Sequence, residues 1–338
     1  MKKVLYAILV IVAVLSIVAI LYFNNLANSI IVKSQSPAPT TQPGVTLTPT
    51  PTPDPLAPAN ILLLGYGGAG HEGGYLTDTI IIAHIVPRSR KVVLITIPRD
   101  VWVEIRYDED EPEYFKINHA YSIGVDNKKF PDKLDQYRGV AGGGNLAEEA
   151  VETITGLPVN NFVSVNFQGF QNIVDILGGV EVYVPYTFDD EFYPLKGEEN
   201  NPCEKTEQEI EVLMATMSGE LLEKQFSCRY EKLHFDKGLQ TLDSELALKF
   251  VRSRHSEVGG GDFGRSQRQL AFIEGIKNKL LNYRSVFSLI PVLNQFADNV
   301  RTDLDLKSGF GLLKSHGDLS GIDITTISLN DDNVFTNS

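Results

Sequence analysis

The N-terminus constrains this chain most, because a long uncharged apolar run follows two lysines. Lys2 and Lys3 are followed by residues 4–23, which contain no charged side chain. A helix of about 20 residues spans the roughly 30 Å hydrocarbon core of a bilayer. Flanking lysines favour the cytoplasmic side. We therefore expect residues 1–3 in the cytoplasm, a single transmembrane helix at 4–23, and the rest of the chain as an extracytoplasmic part at the cell membrane.

A cleaved signal peptide is the alternative interpretation of this run. Signal peptides usually carry a shorter apolar stretch of about 7–15 residues before a small-x-small cleavage site. The segment after the run, residues 24–28, reads Asn-Asn-Leu-Ala-Asn and is a weak match to such a site. The pattern favours an anchor that stays in the membrane.

Residues 34–59 predict a linker. Prolines alternate with threonines and other small residues throughout this segment, at positions 37, 39, 43, 49, 51, 53, 55 and 58. Such a composition favours extended polyproline II and cannot form a packed core. The linker is expected to hold a globular part away from the membrane.

The globular part is expected to be one domain at residues 60–283, followed by a C-terminal extension at 284–338 that packs on it. Short apolar runs alternate with helical patterns, which indicates an α/β (α+β) fold with a central mixed β-sheet flanked by helices. The expected strands are residues 61–64, 79–86, 91–97, 162–166, 180–184 and 322–329. The expected helices are residues 147–155, 170–177, 243–251, 265–281, 285–296 and 306–314.

The chain has two cysteines, Cys203 and Cys228. On the extracytoplasmic side of a membrane, two cysteines that flank one charged segment are expected to pair. They would close an insertion, residues 203–228, with a short helix at 207–223. Two free buried thiols are the alternative.

Charge limits what the domain can bind. A formal net charge of −13 makes the chain a poor binder of nucleic acid. A phosphate ligand would need a local group of cations, and one stretch supplies it. Arg252 and Arg254 are two residues apart and share a face if extended. After a glycine run, Arg265, Arg268 and Gln269 lie at i, i+3 and i+4 of the expected helix.

Arginines gathered in this way suit a pyrophosphate, because guanidinium groups bind phosphate oxygens in pairs of hydrogen bonds. The alternative is a solvated basic surface that pairs with Asp262 and Glu257. The sequence leaves both open.

Residues 65–70 match the pattern GxGxxG after a strand. A dinucleotide site needs a helix at that point, and an apolar strand follows instead.

Asp78 at the start of that strand could hold Mg²⁺, which commonly takes one or two protein carboxylates plus substrate phosphates; a turn cap is the alternative. Arg99 follows a strand end, where it could bind an anion or form a surface ion pair.

Several motifs, in this order, resemble the LytR-CpsA-Psr family of cell-envelope proteins. They run from about residue 60 to 281, and their joint order is more specific than any one of them. They are the strand at 60–65, Thr-Asp-Thr at 77–79, Ile-Pro-Arg-Asp at 97–100, Lys-Ile-Asn-His-Ala-Tyr at 116–121, Gly-Gly-Val at 178–180, Leu-Asp-Ser-Glu-Leu-Ala-Leu at 242–248, Val-Arg-Ser-Arg at 251–254, and Gly-Asp-Phe-Gly-Arg-Ser-Gln-Arg-Gln at 261–269.

The resemblance implies an enzyme that transfers a glycopolymer from a polyprenyl-pyrophosphate carrier to peptidoglycan, with the membrane and Mg²⁺ as further partners. Asp78 would bind the metal. The carrier-binding residues would be Lys116, Arg252, Arg254, Arg265, Arg268 and Gln269. Arg99 would act on the pyrophosphate, and Asp100 or Asp262 would either accept the acceptor's proton or orient arginines.

One departure bears on the metal. Many members carry a second acid soon after the first strand, where this chain has Gly67 and Gly68; His71 or Glu72 could replace it. The missing acid leaves a non-catalytic polyprenyl-phosphate binding or scaffold protein as an alternative. A polyprenyl-pyrophosphate hydrolase, which would use water when no acceptor is bound, is a further alternative. Ser244 replaces a usual glycine with no expected effect.

Overall fold

A computed structural model gives the fold of part of the chain. It describes residues 31–32, 54, 56–70, 73–281, 299–304 and 321–329. The expected anchor at 4–23, most of the linker at 34–59, and the expected helices at 285–296 and 306–314 lie outside these residues. Within the described residues no helix is both long and apolar enough to cross a bilayer.

The chain divides into two compact units. The first contains residues 1–173 and 283–338, and the second contains residues 174–282. The division falls inside helix α3 (Phe167–Leu177). The expected boundaries at 60, 283 and 284 stay predictions.

A six-stranded sheet forms the centre of the first unit, in the order β11-β6-β1-β2-β3-β12. β1 is parallel to β6 and antiparallel to β2, and β3 is antiparallel to β2 and parallel to β12, so the sheet is mixed as expected. Ile81 and Ile82 of β2 point to opposite faces and are both buried, so both faces of the sheet are covered at its centre, where apolar runs form the strands. The strands are β1 (Ala59–Tyr66), β2 (Thr77–Val86), β3 (Lys91–Thr96), β6 (Asn161–Asn166), β11 (Val300–Thr302) and β12 (Asp323–Ser328).

Two helices of the first unit, α1 (His119–Val125) and α2 (Gly139–Thr155), pack closely because of glycines. A Cβ at Gly124 would lie 2.2 Å from the backbone of Gly143, and a Cβ at Gly144 would lie 2.0 Å from the ring of Phe162. These glycines lower helix propensity, which is why the sequence predicts α2 only from residue 147. The structure begins it eight residues earlier, because packing outweighs propensity.

A small hairpin of the first unit consists of β4 (Trp102–Ile105) and β5 (Glu113–Lys116). Val103 and Ile105 are buried in the core, whereas the residues that alternate with them face solvent. The hairpin was not predicted, because each strand has only four residues.

Among its described residues, the second unit contains two two-stranded antiparallel sheets and four helices. β7 (Val180–Val184) pairs with β10 (Gly238–Leu242), and β8 (Phe188–Pro194) pairs with β9 (Tyr230–Phe235), both antiparallel. Phe188, Phe235 and Phe250 stack together in its interior. The helices are α4 (Glu207–Thr216), α5 (Glu220–Glu223), α6 (Ser244–Arg252) and α7 (Gly261–Leu281).

The predicted disulfide is confirmed. Cys203 and Cys228 are bonded, with their Cα atoms 5.7 Å apart. The loop that they close contains α4 and α5, where the sequence predicts one short helix. Thr206 caps α4 by accepting from the backbone of Glu209, whose side chain accepts from Thr206 in return. The bond restricts the unfolded chain and so stabilises the insertion.

A buried carboxyl group lies on α2. Glu148 is 9% exposed, and its Oε1 atom has no hydrogen-bond partner among the described residues. Burial and, to a lesser extent, the nearby carboxylates of Asp303, Glu152 and Glu149 together raise the pKa of Glu148 to about 9. Glu148 is therefore protonated in the folded chain at neutral pH.

Replacing Glu148 with glutamine is expected to stabilise the chain by about 3 kcal/mol at pH 7, since each pKa unit corresponds to about 1.4 kcal/mol. The folded pKa lies above the unfolded value near 4.5. Stability is thus greatest below pH 4.5 and is lost as the pH rises toward 9. Urea unfolding at pH 5 and pH 8 measures the free energy of unfolding of wild type and E148Q. Glu111→Gln, at an exposed position, is the control. Equal pH dependence in E148Q and wild type would contradict it.

Candidate functional site

The arginine-rich stretch of the second unit folds as a turn between two helices, and we call residues 252–269 the arginine hairpin. α6 ends at Arg252, and Ser253 leaves the helix with φ −52° and ψ 137°. The chain turns through its glycine run, and α7 begins at Gly261. Sequence and structure agree on this hairpin, although α7 starts four residues before the expected position.

Asp190 on β8 holds the first half of the arginine hairpin. Its Oδ2 atom accepts hydrogen bonds from Ser253 Oγ at 2.6 Å and from the backbone amides of Arg254 at 2.9 Å and His255 at 3.1 Å. Its Oδ1 atom accepts from the amide of Phe192 at 3.0 Å. Four donors converge on one fully buried carboxylate, which fixes the backbone from which Arg254 projects.

The carboxylate of Asp190 is ionised. Burial on its own raises the pKa of Asp190, but the hydrogen bonds from Ser253 and the three backbone amides lower it below its ordinary value. Sequence reasoning missed this residue. The available signal was an acid at a position of β8 that points inward, between Phe188 and Tyr193, which are both buried.

Two arginines of the hairpin meet at one carboxylate. Asp262 Oδ1 lies 3.1 Å from Arg254 Nε and 3.0 Å from Arg265 Nη2. The side chain of Arg254 is 34% exposed, whereas that of Arg265 is nearly buried. Arg254 can therefore reach a ligand with the least rearrangement.

Arg252 contacts an aromatic ring. Its Nη1 atom donates to the hydroxyl of Tyr193 at 2.9 Å, and its guanidinium carbon lies 5.4 Å from the centre of that ring. The contact fixes the side chain while it keeps the charge.

Arg268 and Gln269, the two remaining residues of the hairpin expected at the ligand, bond to backbone carbonyls. Arg268 is 2% exposed and donates to the carbonyls of Gly259, at 2.8 Å, and Ser253, and it lies over the ring of Phe188. Gln269 donates to the carbonyl of Val251 at 3.4 Å. These contacts brace the arginine hairpin, and they give no support to the expected direct role of either residue in ligand binding.

The first unit gathers the remaining expected residues into a second group, the Asp78–Lys116 cluster. Arg99 Nη1 donates to Asp78, and Arg99 Nε lies 3.5 Å from Asp100. Lys116 Nζ donates to Asp100 at 2.6 Å. Asp78 comes from β2, Arg99 and Asp100 from the turn after β3, and Lys116 from the end of β5. Two cations and two carboxylates thus alternate.

Both carboxylates that the sequence offers as proton acceptors take part in ion pairs. Asp100 contacts Arg99 and Lys116, and Asp262 contacts Arg254 and Arg265. This favours the alternative in which they orient cations.

Asp78 is the residue of this cluster that the sequence offers as a metal ligand. In the part of the chain that the structure describes, no group of three or more His, Cys, Asp or Glu side chains is placed to hold a metal ion. Mg²⁺ does not need such a group, because it keeps several waters and takes substrate phosphates as ligands. Asp78 could serve as one such protein ligand. A carboxylate has enough acceptor sites to bind a metal ion and Arg99 at the same time. His71 and Glu72 lie outside the described residues.

Similarity to characterised proteins agrees with these features. The polyisoprenyl-teichoic acid–peptidoglycan teichoic acid transferase TagU of Enterococcus faecalis is 29% identical over 269 residues, which cover 76% of this chain and 68% of that protein. For the related transferase TagV of Bacillus subtilis the identity is 24%, over 80% of this chain and 56% of TagV. This chain thus spans about two thirds or less of the length of these curated relatives.

Solved structures show the same fold. The crystal structure of Bacillus subtilis TagV superposes with a TM-score of 0.52 at 23% identity, over 82% of this chain and 89% of that one. Protein gbs0355 of Streptococcus agalactiae gives a TM-score of 0.55 at 22% identity, over 82% and 80%. The model of the LytR_cpsA_psr family matches residues 18–338. This chain therefore belongs to the LytR_cpsA_psr family, as its motifs suggested.

Proposed function

We propose that this chain is a membrane-anchored phosphotransferase that moves a glycopolymer from a polyprenyl-pyrophosphate carrier to peptidoglycan. The observation that carries the proposal is the arginine hairpin, where Arg254 and Arg265 both contact Asp262. Guanidinium groups gathered in this way, in a chain of net charge −13, suit an anion with several oxygens. The names of the curated relatives, which are teichoic acid transferases, support the same reaction.

In the proposed reaction, an acceptor hydroxyl oxygen attacks the phosphorus that carries the sugar. The bond from that phosphorus to the bridging pyrophosphate oxygen breaks, and polyprenyl phosphate leaves with the bond's electrons. The hydroxyl proton passes to water, and the product is a phosphodiester between glycopolymer and peptidoglycan. Phosphoryl transfer depends mainly on positioning and on neutralising charge, so it needs no covalent nucleophile from the protein.

Each cluster has a part in this proposal. Arg254 and Arg265 bind pyrophosphate oxygens, and Arg252 adds charge from its place on Tyr193. Within the first unit, Arg99 and Lys116 of the Asp78–Lys116 cluster are available to phosphoryl oxygens, and Asp78 would hold Mg²⁺. When bound, Mg²⁺ supplies further charge neutralisation at a phosphoryl oxygen. Arg268 and Gln269 act by positioning the hairpin.

The disulfide and the N-terminus support an extracytoplasmic place for the reaction. Disulfides such as Cys203–Cys228 persist in oxidising compartments outside the cytoplasm. The apolar run at 4–23 and the proline-rich linker at 34–59 would tether both units to the membrane in which the lipid carrier lies.

The test of this function uses the full chain in detergent with a short-chain polyprenyl-pyrophosphate glycan and peptidoglycan fragments. Mass spectrometry follows polyprenyl phosphate and the glycan–peptidoglycan conjugate, with Mg²⁺ and with chelator. We expect both products to appear together, to depend on the acceptor, and to be lost with chelator. Polyprenyl phosphate formed equally without acceptor would identify a hydrolase instead, and lipid binding without any product would identify a binding protein.

A further inference from the structure

The solvent face of the β4–β5 hairpin carries two large exposed aromatic side chains. Trp102 is 63% exposed and Tyr114 is 65% exposed. Tryptophan is on average one of the most buried residue types, and exposed aromatic surface commonly marks a contact site. Trp102 is also the only tryptophan of the chain.

Strand register places these two rings on the same face. Trp102 is opposite Lys116 and Glu104 is opposite Tyr114, so all four side chains lie on one side of the hairpin. The hydroxyl of Tyr114 donates to Glu104 at 3.5 Å. On the other side, buried Val103 and Ile105 fix the hairpin to the core. The face is therefore a rigid aromatic surface with an ammonium and a carboxylate beside the rings.

This combination matches the chemistry of a sugar ring. One side of a pyranose presents C–H groups, which pack on an aromatic face, while its hydroxyl and amide groups need hydrogen-bond partners at the edge. Trp and Tyr supply rigid amphipathic area. Glu104 accepts hydrogen bonds and Lys116 donates them.

The face is continuous with the Asp78–Lys116 cluster. Lys116, which stands opposite Trp102, bonds to Asp100, and Asp100 lies beside Arg99. A sugar that rests on Trp102 and Tyr114 would thus lie next to the residues that we assign to phosphoryl oxygens. We propose that this face, which we call the Trp102 face, binds N-acetylhexosamine rings of the peptidoglycan acceptor. The inference rests on the proposed function and adds an acceptor subsite to it.

A membrane surface is the rival occupant, because Trp and Tyr are also enriched at lipid interfaces. The charges at the hairpin argue against it. Residues 99–116 carry seven carboxylates, at positions 100, 104, 108–111 and 113, against the three cations Arg99, Arg106 and Lys116. Anionic lipid attracts clusters of basic side chains, which this segment does not present. The hydroxyl and N-acetyl groups of a sugar ring are uncharged and meet no such repulsion.

Because Trp102 is the only tryptophan, its fluorescence reports on this face directly. The probe is a peptidoglycan tetrasaccharide of two disaccharide repeats, added to the full chain in detergent without lipid carrier. We expect a saturable change in emission. Tyr114→Ala is expected to raise the dissociation constant about tenfold, which corresponds to about 1.4 kcal/mol. Tyr183→Ala is the matched control, because Tyr183 is also solvent-exposed, at 55%, but lies on β7.

The transfer assay supplies a second readout. Trp102→Ala is expected to raise the KM for the peptidoglycan acceptor about tenfold, with kcat and the KM of the lipid donor within about twofold of wild type. Trp102→Tyr should restore most of the acceptor KM, since it keeps an aromatic ring. An unfolded variant would lose kcat and donor binding as well, so the split between the two KM values separates recognition from folding.

The inference and the proposed function can fail separately. If wild type makes the conjugate but the tetrasaccharide leaves emission unchanged and Trp102→Ala leaves the acceptor KM unchanged, the Trp102 face is not an acceptor subsite. A blue shift on transfer to phosphatidylglycerol vesicles, without a response to the sugar, would also overturn it. A saturable sugar response in a chain that makes no conjugate would support the sugar-binding face and reject the transferase.

Discussion

Replacing Arg254 with alanine is expected to lower kcat/KM for the polyprenyl-pyrophosphate donor by about 100-fold or more, with little change in stability. Arg254 is the more exposed of the two arginines that share Asp262. Loss of one charged donor to a transition-state oxygen typically costs about 3–4 kcal/mol. The backbone of Arg254 stays bonded to Asp190 in the variant, so the hairpin is expected to keep its fold.

Two further variants test whether the loss in R254A depends on the position and on the planar shape of this side chain. Arg88→Ala removes an equal charge from an exposed ion pair with Asp54 and should leave kcat/KM within about twofold. Arg254→Lys keeps the charge but not the planar pair of donors, so it should recover only part of the activity. Titration calorimetry measures donor binding by each variant, and steady-state kinetics measures its kcat/KM. A normal kcat/KM in R254A would remove the arginine hairpin from the site.

The central sheet was predictable because its signal is local. The apolar runs that became β1, β2 and β3 are continuous and separated by turn residues, those of β2 and β3 are rich in β-branched residues, and all three strand assignments were confirmed. Elements that depend on tertiary packing were missed or shortened. The first eight residues of α2 contain glycines that disfavour a helix in isolation, and they are helical because only glycine allows the approach to α1.

The site was predictable to the same extent. Two spacings identified the arginine hairpin. Arg252 and Arg254 are two residues apart, which places them on one face of an extended segment, and Arg265 and Gln269 are four apart, which places them on one face of a helix. Spacing did not reveal that Arg268 would turn inward, because the buried side of α7 is decided by the residues around Phe188. Asp190 was missed for the same reason, since it lies 63 residues before Ser253 in sequence.

Replacing Asp190 with asparagine is expected to destabilise the chain by about 5 kcal/mol at pH 7 and to weaken donor binding at temperatures where the variant is still folded. Each unsatisfied buried donor costs about 1–3 kcal/mol, and four donors converge on this carboxylate. An asparagine amide group would place N–H groups against these donors. Thermal and urea unfolding measure the stability, and titration calorimetry measures the donor dissociation constant.

Asp189, the residue next to Asp190 in sequence, provides a matched control. Asp189 is exposed and pairs with Lys232 and His234, so Asp189→Asn should change stability by less than about 1 kcal/mol. If Asp190→Asn fails to fold, Ser253→Ala is the milder variant. It removes one hydrogen bond and is expected to cost about 1–2 kcal/mol and to weaken donor binding a few-fold. Unchanged donor affinity in a destabilised S253A would show that Asp190 supports the fold without positioning Arg254.

The pH dependence gives an independent check of the ionised state of Asp190. Its pKa in the folded chain lies below the ordinary value of 3.8, because Ser253 and three backbone amides outweigh the opposing effect of burial. The stability that it contributes is therefore present above pH 3.8 and lost as the pH falls through the folded pKa. The difference in unfolding free energy between wild type and D190N should be greatest near pH 7 and shrink below about pH 4. A difference that grows as the pH falls from 7 to 3 would mean that Asp190 is held as a neutral acid, and the hydrogen-bond pattern around it would then need a different explanation.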